Sequence, residues 1–113
     1  MSHRLEQISE VIRHEIGGLL LTEVEFPVGC LVTIVEVQTS KDLRHAKIII
    51  SVMPVKFTAK VLEKLQKNIG HLQFELNKKL SMKPLPRIRF AIDRTEHKAV
   101  GIEELLDKIR KEI

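Results

Sequence analysis

Tryptophan and tyrosine are absent from this 113-residue sequence, and phenylalanine occurs only four times. Its interior must therefore be aliphatic, built from Ile, Leu and Val, and it has little with which to stack splayed nucleobases. Cys30 is the single cysteine. It excludes an internal disulfide and a cysteine metal cluster, and fits a reducing, cytoplasmic setting in which it serves as a small buried hydrophobe. No stretch approaches the roughly 18 apolar residues of a membrane span, and Glu6 and Glu10 near the start argue against a secretory or transit peptide. Catalytic signatures are missing as well. His3, His14, His45, His71 and His97 never fall at a metal-ligand spacing such as H-E-x-x-H, and there is no phosphate loop and no G-x-S-x-G elbow. These absences point away from an enzyme and from any metal, cofactor or small-molecule substrate.

What is present suits one folded domain over residues 1–113. Hydrophobic residues make up 43% of the chain and charged residues 30%, enough for one core and a soluble surface. The net charge of +4 is unevenly spread. Residues 57–98 hold ten Lys/Arg against four Asp/Glu, whereas the segments on either side are each net −1. From Leu76 to Ile92 there are five basic residues, Lys78, Lys79, Lys83, Arg87 and Arg89, and no acid. Such a single-sign stretch attracts a polyanion through steering and counterion release, the footprint of a nucleic-acid binder; the plain alternative is a solvated face.

Periodicity supplies the elements. Leu5, Ile8, Ile12, Ile16 and Leu19 step by three and four, predicting an amphipathic helix over Ser2–Leu21 with Ser2 as N-cap. Pro27 and Gly29 mark a loop. Leu31–Thr39 and Ala46–Met53 are rich in β-branched residues and predict a hairpin around Ser40-Lys41-Asp42-Leu43-Arg44, where Ser40 and Asp42 can fix the turn by bonding backbone amides. After Pro54 the helical period resumes through Val61, Leu65, Leu72 and Leu76. Gly70 interrupts it, predicting a kink or short turn with a helix on each side, the second ended by Pro84 and Pro86. Arg87 to Asp93 alternates, predicting a strand with Ile88, Phe90 and Ile92 inward and Arg87 and Arg89 outward. Ile102–Ile113 predicts a closing helix. The result is an α+β domain, α-β-β-α-kink-α-β with a three-stranded sheet, helices on one face and a C-terminal helix.

That order matches a type II KH domain. Ordinary KH modules clamp single-stranded RNA with a G-x-x-G loop between their middle helices. Here the junction reads Lys67-Asn68-Ile69-Gly70-His71, with one glycine only.

Taken together, the opening helix with Arg4, Ile12 and Glu15-Ile16, the run Val37-Gln38-Thr39-Ser40-Lys41-Asp42-Leu43 followed by Ala46-Lys47-Ile48, the break at Gly70, and Pro86-Arg87-Ile88-Arg89-Phe90-Ala91-Ile92-Asp93 resemble the ribosome-binding factor A family over nearly the whole chain. The resemblance implies a type II KH-like fold in which an Ala-x-Gly kink replaces the G-x-x-G loop. Asn68, Ile69 and Gly70 occupy that kink here, with Asn68 where the alanine usually stands. It further implies a monomer that associates with the free 30S subunit and assists late maturation of 16S rRNA, including its 5′ end, with importance in the cold and without cleaving RNA itself. Many members carry a long basic C-terminal tail, whereas this sequence ends at Ile113. The candidate RNA-binding residues are Lys78, Lys79, Lys83, Arg87 and Arg89, joined by Lys64, Lys67 and His71; the helix lysines rank ahead of the strand arginines. A KH-like protein-interaction adaptor that does not touch RNA is the competing reading, supported by the missing second glycine.

Overall fold

Steps of three and four carry the apolar stripe of α1 (Ser2–Glu23) onto one face of a sheet. Ile12 and Ile16 on that stripe are completely buried. In the computed structural model, which describes residues 2–81 and 86–93, α1 is followed by β1 (Leu31–Thr39), β2 (His45–Met53), a short 3-10 turn (Val55–Phe57), α2 (Thr58–Lys79) and β3 (Arg87–Ile92). β2 is central, antiparallel to β1 and parallel to β3. This is an α+β, type II KH-like arrangement with both helices on one side. The side chain expected to cap α1, that of Ser2, and the closing helix expected over Ile102–Ile113 lie outside the described residues.

The core is aliphatic. Ala46, Ile48, Ile50 and Val52 alternate along β2 toward the helices, and all four are fully buried. They meet Val61, Leu65, Leu72 and Leu76 of α2 and Ile88 and Ile92 of β3. Burying a Leu or Ile side chain contributes about 1.5–3 kcal/mol, so this two-layer packing dominates the stability of the domain. Cys30 is only half-buried, packed against the margin of the core, where desolvation raises its thiol pKa.

Three boundaries differ from expectation. α1 runs through Gly17 and Gly18 to Glu23. α2 is a single helix passing through Asn68, Ile69 and Gly70, so the two stretches separated in the sequence form one element. Packing explains the continuity, since Leu65 and Leu72 on either side of Gly70 sit fully buried on the same stripe. Asn68 Nδ2 nevertheless donates to the Lys64 carbonyl at 2.8 Å, a bond to the preceding turn of the kind that bends helices. Finally, α2 stops at Lys79 rather than at the prolines. Leu80 turns extended while its amide still donates to Leu76 O, and it packs at the edge of the core. Pro84 lies outside the described residues. Among those residues no helix is long and apolar enough to cross a membrane.

Candidate nucleic-acid interface

The β1–β2 connection is held by its own polar side chains. Ser40 Oγ donates to Asp42 Oδ1 at 2.6 Å, Arg44 N–H donates to the same oxygen at 3.0 Å, and His45 N–H donates to Ser40 Oγ at 3.1 Å. These bonds lower the pKa of the Asp42 carboxyl, the Ser40 hydroxyl being the larger cause. They also enforce an unusual backbone, since Leu43 sits at φ 62°, a left-handed conformation costly for a residue with a Cβ. The Arg44 carbonyl in turn accepts the Arg87 amide at 2.8 Å, joining the loop to the start of β3.

That start is fixed from α2 as well. Gln73 accepts the Ile88 amide on Oε1 at 2.8 Å and donates from Nε2 to Pro86 O at 3.0 Å. One side chain thus occupies two polar groups of the edge strand, as a fourth strand would. Beyond it, Ile88 is buried while Arg87 and Arg89 are exposed on the helix-free face, the alternation read from the sequence.

Register then brings together residues far apart in the chain. Lys47 is the β2 partner of Arg89, and His45 that of Arg87. Neighbouring strands lie about 4.8 Å apart, so the four side chains leave one face of the sheet within a few ångströms of each other. Charge counting along the chain passes over Lys47 and His45 because they belong to a segment of net −1; the alternation Ala46-Lys47-Ile48 was the available signal.

The helix candidates lie elsewhere. At 3.6 residues per turn, Lys60, Lys64, Lys67, His71 and Lys78 fall within about 60° of one another on the side of α2 turned away from the core. Acids accompany this stripe. Lys67 Nζ is 3.9 Å from Glu63, Lys78 Nζ is 3.3 Å from Glu75 and 5.0 Å from the Phe74 ring centroid, and His71 Nε2 is 2.6 Å from Glu23. The hydrogen bond from His71 is the main cause of a lowered Glu23 pKa. Lys79 stands about 100° from Lys78 and lines a groove of mixed charge against the end of α1, together with Arg13, Glu15 and Glu75. Lys83 lies outside the described residues. The candidate set is therefore split between two surfaces, the sheet face holding Arg87 and Arg89 and the outer side of α2 holding Lys64, Lys67, His71 and Lys78. Among the described residues no three His, Cys, Asp or Glu side chains are grouped to hold a metal ion.

Comparison with known proteins adds to this geometry. The family model described as ribosome-binding factor A matches residues 4–106. Ribosome-binding factor A of Akkermansia muciniphila is 32% identical over 113 residues, covering 100% of this chain and 90% of its own length. A solution structure from Thermotoga maritima, assigned to the same factor, superposes with a TM-score of 0.69 at 24% identity, over 88% of this chain and 96% of that one. The Thermus thermophilus factor, as fitted into a cryo-EM map of its complex with the 30S subunit, superposes with a TM-score of 0.58 at 22% identity, over 85% of this chain and 98% of that one.

Proposed function

The chain belongs to the ribosome-binding factor A family, and from that premise we propose that it is a cytoplasmic assembly factor that binds the free 30S subunit. In this reading it assists late maturation of 16S rRNA, including processing of the 5′ end, and matters most in the cold. It acts as a monomer by holding rRNA in an assembly-competent arrangement, with phosphate contacts positioning it and no bond made or broken by its own side chains. The supporting observation is the set of basic side chains on the outer side of α2 and on the outward face of β3, on a fold shared with a factor fitted into a 30S complex.

The test is co-sedimentation with free 30S subunits. Replacing Lys78, Lys79, Lys83, Arg87 and Arg89 by Glu should leave the circular dichroism spectrum intact and abolish binding; undiminished binding refutes the proposal. In cells lacking the protein, primer extension should reveal 16S rRNA with an unprocessed 5′ end, accumulating most at low temperature.

A further inference from the structure

We propose that the helix-free face of the sheet, at the end where the β1–β2 connection meets β3, is the phosphate-binding surface, and that Lys47 at its centre acts with Arg87 and Arg89. The proposal rests on the reading that the protein binds rRNA, and it narrows where and to what kind of RNA.

Lys47 and Arg89 are direct cross-strand partners. Like charges at such positions destabilise a sheet, and departures of this sort from local consistency concentrate at functional sites, where a ligand of opposite charge offsets them. Among the described residues Lys47, Arg87 and Arg89 have no ion pair, in contrast to Lys67 and Lys78 on α2. Among the described residues of the β1–β2 loop and the adjoining strand ends, Lys41, Arg44, Lys47, Arg87 and Arg89 outnumber the acids, Asp42 and Glu36. Asp42 is engaged by Ser40 and by the Arg44 amide, and Glu36 accepts the Gln38 side-chain amide at 3.3 Å. The surface is also held in place, since the loop is bonded internally and to Arg87, and β3 is bonded to Gln73. A fixed cationic surface binds phosphates without first being ordered.

The same face indicates the class of RNA. None of its outward strand residues is Phe, Tyr or Trp, and Phe90 packs on the inner side against the core. The His45 imidazole is a lone ring there and makes no platform for the successive bases that single-strand binders stack, so the ligand is the sugar–phosphate backbone of folded, base-paired RNA.

Two triple variants separate the surfaces, Lys47→Ala/Arg87→Ala/Arg89→Ala on the sheet and Lys60→Ala/Lys64→Ala/Lys67→Ala on α2. Each is titrated with a fluorescent 20-base-pair RNA duplex at several salt concentrations and sedimented with free 30S subunits. The sheet variant should bind the duplex at least about tenfold more weakly, with a log–log salt slope shallower by roughly two to three, about one for each phosphate that is no longer neutralised; the helix variant should change by less than one. Removing like charges should leave the sheet variant at least as stable as the wild type in urea. Equal losses in both variants, or a larger loss in the helix variant, overturn the assignment. Tighter wild-type binding to a 20-nucleotide oligouridine than to the duplex overturns the RNA class. Wild type that fails to sediment with 30S subunits removes the underlying function, whereas wild type and sheet variant sedimenting equally removes only this inference.

Discussion

Leu43, Asp42 and Gly70 illustrate how single residues relate to their surroundings. Leu43 is held at positive φ because Asp42 and Ser40, bonded to each other, accept the Arg44 and His45 amides that follow it, so the local motif overrides a steric preference. The same bonds make Asp42 an acid sensor of stability. Its folded pKa lies below the ordinary 3.8. Its contribution is therefore complete above that ordinary value and is lost as pH falls through the depressed one. Melting temperatures followed from pH 6 to pH 2 should fall less steeply below pH 4 in Asp42→Asn than in the wild type. At Gly70 an added Cβ would meet nothing within 4 Å, and its φ is not positive. Gly70→Ala should therefore raise stability by up to about 1 kcal/mol in urea unfolding, the helix-propensity difference. That glycine was legible as a break in the periodic pattern, but whether the helix also breaks depends on the buried stripe on either side of it.

At the scale of elements, β1 carries a feature that alternation alone does not reveal. Val32 and Ile34 pack against the core at even positions, while Val37 is buried at an odd one. A bulge at Val35 absorbs the change of parity: Ile34 pairs with Ile50 and Glu36 with Ile49. The strand limits were readable from β-branched composition, and the switch in parity became meaningful only against the register of β2. Gln73 is a second such case. In the sequence it is one polar residue of a long amphipathic helix, yet it fixes the start of β3. Gln73→Ala leaves the half-buried Ile88 amide without that acceptor and should cost about 1–3 kcal/mol in urea unfolding. Amide hydrogen exchange at Ile88 should accelerate at the same time, while exchange at Ile48 should rise only as far as the global loss of stability requires.

At the scale of the whole molecule, two helices cover one face of the sheet and leave the other to solvent, so the basic residues fall on opposite sides of the core. Leu65 is fully buried between those layers. Leu65→Ala should cost about 2–5 kcal/mol in urea unfolding, the range for a cavity at a well-packed leucine. The sequence by itself determined the aliphatic core, the element order as far as β3, the polar turn at Ser40–Asp42 and the outward direction of Arg87 and Arg89, because composition, hydrophobic period and turn chemistry act over a few residues. Only the tertiary structure decided that α2 is continuous, that acids from α1 and α2 accompany the helix lysines, and that Lys47 stands beside Arg89. Strand pairing joins positions some forty residues apart, and a charge count along the chain carries no information about which of them become neighbours in the sheet.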